Sequence, residues 1–348
     1  MNQRNVEWTP LAYCISPSYK PPAQSSATQS QRCTLMFLDR VLRALSAFDH
    51  ATHRWAAIPL RDPHDLITPK RPSSHPADAI GKQSLSLTSW NIQASWSEPV
   101  ARSKLILDHI LKGPKLSDII FLQEVTSGVR QSLLDDPRIR SGFLTTDAED
   151  NTSFKGVPFA TMTLLSSKRF GSPLLAEDGE GRGKLMLDSV FRMELPSRYK
   201  RDALCVDIVA PAAPGALLRL LNVHLESFDS DFRRHLQVRE LAGVLREARC
   251  SGGIIAGNFN AILPKDHRLV DEIGLLDAWV ALHGSKWPDG GATWRVGVGP
   301  KGRPKAGRLD KVVMLGLKPD EIEVLQPGLF EPDRPWSDHC GLRCTFTI

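Results

Sequence analysis

The run DIIFL, Asp118–Leu122, followed at once by Gln123 and Glu124, constrains this chain more than any other segment. Its apolar residues alternate between the two faces of a strand, so both faces must be covered, as in a sheet packed on either side. Similar runs return at Leu85–Ile92, Leu217–Leu225, Gly253–Ala256, Lys311–Leu315 and Leu342–Ile348. Between them lie stretches of helical spacing. One is Val100–Leu111, with Leu105, Ile106, Ile110 and Leu111; the other is Asp231–Arg249, with Phe232, Leu236, Leu241, Val244 and Leu245 on one face. Strands joined partly by helices and partly by hairpins predict an α/β fold, a four-layer α-β-β-α sandwich with two packed mixed sheets.

This domain is expected over residues 84–348, preceded by a mostly disordered extension over 1–83. Residues 1–33 are rich in Ser, Gln and Pro, with Glu7 as their single acid, and cannot bury enough apolar surface to offset ordering entropy. An acid-poor, Ser-rich start also has some character of an organelle transit peptide. Leu35, Leu38, Val41, Leu42, Leu45 and Phe48 recur at helical spacing and predict a short amphipathic helix over 35–48, packed on the domain or offered to a partner. Pro63, Pro69, Pro72 and Pro76 mark 61–83 as a linker. No stretch approaches the roughly 18 consecutive apolar residues of a membrane span, and no charged-then-apolar leader opens the chain. An intracellular monomer, nuclear or cytoplasmic, is expected. Cys14, Cys33, Cys205, Cys250, Cys340 and Cys344 show no CxxC or zinc spacing and predict reduced, mostly buried thiols. The formal charge of +5 suits a polyanionic partner without requiring one.

Polar residues of catalytic type sit at the ends of the apolar runs, where a chain leaving a sheet can offer side chains to a shared cleft. They are SWNIQ (Ser89–Gln93), FLQEV (Phe121–Val125), NVHLES (Asn222–Ser227), GNFNAI (Gly257–Ile262), RLDKVV (Arg308–Val313) and WSDHCGL (Trp336–Leu342). In this order the set resembles the endonuclease/exonuclease/phosphatase superfamily, whose members show N-x-D or a variant, Q-E, H-L, G-D-x-N, an Asp before a strand, and S-D-H. The resemblance covers residues 84–348. One His or Glu at a strand end is more often structural than catalytic; six motifs in order carry the resemblance.

The resemblance implies a divalent cation, magnesium with manganese as a substitute, and water attacking phosphorus. Glu124 is then the principal metal ligand, with Asp338 a second ligand or a brace of the same cluster. Asn91 positions phosphate or a metal-bound water, or closes a turn. His339 stabilises developing charge or shuttles a proton, with Asp310 fixing its orientation. His224 contacts phosphate from the opposite side, and Asn260 holds the attacking water or a non-bridging oxygen.

Two departures stand out. Asn258 replaces the aspartate of G-D-x-N, and an amide cannot serve as a base; Gln93 stands where many relatives carry aspartate. Both remove negative charge from the site. H-L-E-S, the pair Thr293-Trp294 and the S-D-H-x-G-L terminus resemble the 5′-tyrosyl-DNA phosphodiesterase branch. That branch implies DNA ends as substrate, with Trp294 stacking on a base or simply packed in the core, and with Arg268 near substrate. Lys301, Arg303, Lys305 and Arg308 form an acid-free loop that either tracks a phosphate backbone or is merely solvated. The alternatives are an impaired family member that binds nucleic-acid ends or phosphorylated ligands, and a hydrolase of a phospholipid or small phosphate ester.

Overall fold

A computed structural model describes residues 39–60, 83–113, 115–174, 183–211, 213, 215–228, 230–284, 291–296 and 306–348, within a compact unit spanning Phe37–Ile348. The first half runs β1 (Arg40–Leu42), β2 (Leu45–Asp49), β3 (Arg54–Ala57), β4 (Ser84–Asn91), α1 (Pro99–Lys112), β5 (Ile119–Val125), α2 (Ser127–Asp135), α3 (Pro137–Gly142), β6 (Phe143–Thr146), β7 (Ala160–Ser166) and β8 (Phe170–Gly171). The second half runs β9 (Leu185–Glu194), β10 (Asp202–Val209), β11 (Leu217–His224), α4 (Asp231–Leu245), β12 (Cys250–Asn258), α5 (Pro264–Glu272), β13 (Leu276–Asp277), α6 (Ala278–His283) and β14 (Asp310–Leu315). It closes with β15 (Pro319–Leu325), β16 (Leu329–Glu331), β17 (Arg334–Pro335) and β18 (Gly341–Thr347).

Two eight-stranded mixed sheets result. One has the order β1-β9-β10-β11-β12-β14-β13 with β8 paired to β9, the other β15-β18-β4-β5-β7-β6-β2-β3. Side-chain alternation builds the layers. In β5, Ile119 and Phe121 enter the core between the sheets, while Ile120 and Leu122 face α1 and α2 beside Ile106, Ile110 and Val129. Likewise Leu220, Ile254 and Val312 face the inter-sheet core, and Leu221, Ile255 and Val313 pack on α4 and α5 through Val238, Leu241 and Leu269. This is the α-β-β-α sandwich expected from the buried runs.

The expected helix over 35–48 is not present at its described residues. β1 pairs with β9, and β2 pairs with β3 and β6, so residues 40–49 reach both sheets. Leu45 is fully buried in the inter-sheet core, and Phe48 meets Trp55 edge-on at 5.5 Å. A spacing of three and four leaves Leu45 inward-facing in either conformation. Two open strand edges supply the backbone partners that decide for strand. The domain therefore begins before residue 84; the disorder expected over 1–33 lies outside the described residues, as does all of the 61–83 linker except Gln83. In α4 the inward face also differs from expectation, since Phe232 is exposed and Arg234 and Gln237 are buried. Among the described residues no helix is long and apolar enough to cross a membrane, and Cys205, Cys250, Cys340 and Cys344 are free.

Candidate active site

Each sheet carries one parallel pair near its middle, β4 with β5 and β11 with β12, bridged by α1 and α4 respectively. Parallel strands end on the same rim, so Asn91 lies in register with Gln123, and His224 with Asn258. Antiparallel neighbours complete the rim: β14 starts at Asp310 opposite Asn258, and β18 starts at Gly341, just after His339. Six motifs distant in sequence thus meet at one edge of the sandwich. Gly257 is required there, because at φ +142° a Cβ would collide with the Val223 carbonyl.

On the β4–β5 side, Asn91 Nδ2 donates to Glu124 Oε1 at 2.9 Å and the Ala94 N–H to Oε2 at 2.8 Å. Glu124 has φ +59°, in the left-handed region, at a register irregularity between β5 and β7. A non-glycine residue there is strained and needs its surroundings to hold it. Gln93, at φ +57°, donates from Nε2 to Asp338 Oδ1 at 2.8 Å, and Trp294 Nε1 donates to Asp338 Oδ2 at 3.0 Å. Trp294 is half-buried and anchored at its N–H, so it is neither a core tryptophan nor a free platform. An aspartate in place of Gln93 would oppose Asp338 with like charge; the amide turns that contact into a hydrogen bond.

On the β11–β12 side, His224 Nε2 lies 4.0 Å from Glu124 Oε1 and 3.4 Å from Asn258 Nδ2. Arg201 Nη1 lies 3.1 Å from His224 Nδ1, and Phe159 stacks on the imidazole at 5.8 Å. Burial, with the charges of Arg201 and His339, holds His224 well below its ordinary pKa and therefore neutral. Asn260, at φ +48°, donates its backbone N–H to Asn258 Oδ1 at 2.8 Å and its Nδ2 to the Leu225 carbonyl at 2.9 Å. His339 Nδ1 is 2.7 Å from Asp310 Oδ2. Burial pulls the His339 pKa down, but Asp310, Asp338 and Glu124 outweigh it and raise it to about 9, so this imidazole is a cation at neutral pH.

Asn91, Glu124, His224, Asn258, Asn260, Asp310, Asp338 and His339 thus gather at the rim. Arg268 does not join them: it is exposed on α5, 3.8 Å from Glu272, and shares with Trp294 and Trp279 the wall of a cavity of about 810 Å³. Arg308 is no backbone-tracking residue. It is buried, and its Nη1 donates to both Asp277 oxygens at 2.9 and 2.8 Å, beside Lys311 Nζ, which donates to Oδ2 at 3.0 Å. Burial lowers the Lys311 pKa to about 8 in spite of Asp277. Lys301, Arg303 and Lys305 lie outside the described residues. Glu226 of H-L-E-S turns inward, accepting from Ser197 Oγ and the Arg198 N–H, while Gln237 and Arg234 hold the backbone of the same loop. Sequence reasoning missed Arg201. Its one signal is the basic cluster Arg198, Lys200, Arg201 at the entry to β10.

A family model of the Endonuclease/Exonuclease/phosphatase family matches residues 88–339, and the chain belongs to that family. Its fold is shared by TDP2 of D. rerio solved with a single-strand DNA product, at 20% identity and a TM-score of 0.57 over 76% of this chain and 100% of that one. TDP2 of Caenorhabditis elegans gives 21% identity and a TM-score of 0.57, over 76% and 75%. A family protein from Bacteroides thetaiotaomicron gives 14% identity and 0.52, over 77% and 98%. The similar folds include the tyrosyl-DNA phosphodiesterase branch that the motifs resemble. No curated protein matches the sequence.

Proposed function

We propose that this chain is a divalent-metal-dependent phosphodiesterase acting at nucleic-acid ends of the 5′-phosphotyrosyl kind, its rate held down by Asn258. The observation that carries the reading is the meeting of Glu124, His224, Asn258 and the Asp310–His339 pair, drawn from both sheets, at one rim. Family membership supports a phosphoester hydrolase, and the DNA product held by D. rerio TDP2 supports a nucleic-acid substrate.

Among the described residues no group of three His, Cys, Asp or Glu side chains is arranged to cage a metal. Glu124 nevertheless presents a hard carboxylate whose oxygens each carry one donor, leaving further lone pairs. Magnesium commonly takes one or two carboxylates and completes its shell with water and substrate phosphate, so this donor set fits magnesium or manganese at Glu124. Asp338, occupied by Gln93 and Trp294, braces the cluster. When bound, the cation neutralises phosphoryl charge and lowers the pKa of a coordinated water.

The side chains divide the remaining work. As water adds to phosphorus and the ester P–O bond breaks, cationic His339 stabilises the equatorial oxygens or hands its proton to the departing oxygen, with Asp310 holding the ring. Neutral His224 and Asn260 hydrogen-bond the phosphoryl group or the water. Asn258 can position that water but cannot take its proton, which forfeits about 10²- to 10⁴-fold of rate.

A second reading rests on Asn258 itself: a family member that binds nucleic-acid ends or phosphorylated ligands without turning them over. The full-length chain, assayed with magnesium or manganese on a 5′-phosphotyrosyl oligonucleotide, an abasic duplex and a phospholipid, separates the two. Metal-dependent release from the oligonucleotide is expected. Tight binding of DNA ends with no hydrolysis of any ester would leave the second reading in place.

A further inference from the structure

His224 stands between two neighbours that make incompatible demands on it. Arg201 Nη1 lies 3.1 Å from Nδ1, and a guanidinium only donates, so Nδ1 must accept and the ring proton must sit on Nε2. Asn258 Nδ2 lies 3.4 Å from that same Nε2, and an amide nitrogen also only donates. Turning the amide over is no remedy, because its Oδ1 already accepts the Asn260 N–H at 2.8 Å. Distance and charge decide the conflict. The charge-assisted bond at 3.1 Å outweighs a neutral contact at the outer limit of hydrogen bonding. Arg201 is itself fixed, by Ser227 Oγ at 3.1 Å from Nη2 and by the ring faces of Phe159 and Tyr199 at 5.2 and 5.7 Å. Glu124 Oε1, at 4.0 Å from Nε2, is too far to accept its proton. Two donors 3.4 Å apart are therefore left needing one acceptor.

We propose that Arg201 is a positioning residue that fixes His224 as the Nε2–H tautomer, and that His224 Nε2 and Asn258 Nδ2 together form a two-donor seat for one phosphoryl oxygen. The identity of that oxygen rests on the phosphate-ester reading above; the tautomer does not. A carboxylate at position 258 would accept the Nε2–H internally and close the seat. Asn258 thus exchanges a negative charge for a second donor.

Ring ¹⁵N NMR of the full-length chain at neutral pH, with His224 assigned by its loss in H224Q, reads the tautomer directly. A bare Nδ1 and a protonated Nε2 are expected. In R201M the proton should move toward Nδ1, since Asn258 then finds an acceptor in Nε2, and R201K should restore the original pattern. A wild-type proton on Nδ1 would overturn the role of Arg201 even if R201M failed to fold. Titration with inorganic phosphate should shift the Nε2–H signal, and N258D should weaken phosphate about tenfold or more, the worth of one hydrogen bond to a charged group. Equal phosphate affinity in N258D would overturn the seat. Because neither readout needs turnover, an inactive protein showing both results would refute the phosphodiesterase and leave this inference standing.

Discussion

The two sheets reach the cleft with parallel strand pairs of the same build and opposite chemistry. The β4–β5 side presents carboxylates, Glu124 and Asp338, each held by N–H donors. The β11–β12 side presents a neutral imidazole and two amides, backed by the Arg201 cation. His339 stands between the two as a second cation, tied to Asp310. In the proposed reading, one side of this rim takes the metal ion and the other side the oxygens of a phosphate. Architecture supplies the meeting point, and a few side chains at strand ends decide what meets there.

The largest expected effect comes from removing the cation between the halves. His339→Ala should lower kcat about 10³-fold while magnesium affinity stays near wild type, as measured by titration beside steady-state kinetics. Full activity in this variant would break the assignment of His339 to the site.

The comparison is sharpened by making the halves more alike. Asn258→Asp adds a carboxylate of nearly the same shape to the amide side, so kcat should rise about 10²-fold and magnesium should bind more tightly, even as inorganic phosphate binds more weakly. Unchanged or slower turnover in an already fast wild type would mean that another group activates water.

A third test concerns stability. Since every motif follows Leu85, residues 1–80 read as dispensable for catalysis. The structure places Leu45 in the inter-sheet core and pairs residues 40–49 with both sheets. A chain starting at Lys82 should therefore lose stability, and Leu45→Ala alone should cost about 2–5 kcal/mol in denaturant unfolding. A Lys82 start with unchanged stability would show that these strands contribute nothing.

The smallest effect is a pH dependence. The cationic His339 adds stability in full below its unfolded pKa of about 6.5, and that contribution is lost as pH rises through its folded pKa of about 9. His224, whose folded pKa is depressed, acts in the opposite sense as pH falls below about 6.5. Thermal unfolding between about pH 6.5 and about 8, below the depressed Lys311 pKa, should therefore show a decline with pH that His339→Asn removes. An identical profile in the variant would show that Asp310 does not stabilise the charged ring.

Much of this site was legible in the sequence because each motif borders an apolar run, four at its end and two at its start, and parallel and antiparallel pairing carry those ends to one rim. The sandwich followed from the same runs. Residues whose roles depend on tertiary partners were not legible. Arg201 meets His224 only across the β10–β11 turn, and Arg308, by composition part of an acid-free loop that either tracks phosphate or is solvated, is a buried partner of Asp277 in the fold. Residues 40–49 read as helix because periodicity cannot register the open edges of β6 and β9.

The claim that the cleft is divided into a metal side and a phosphate side is tested most directly by binding magnesium and inorganic phosphate separately to the wild type and to Glu124→Gln. The division predicts that the variant loses at least about tenfold in magnesium affinity, with phosphate affinity nearly unchanged. Wild-type magnesium binding in the variant, or an equal loss of both ligands, would contradict it.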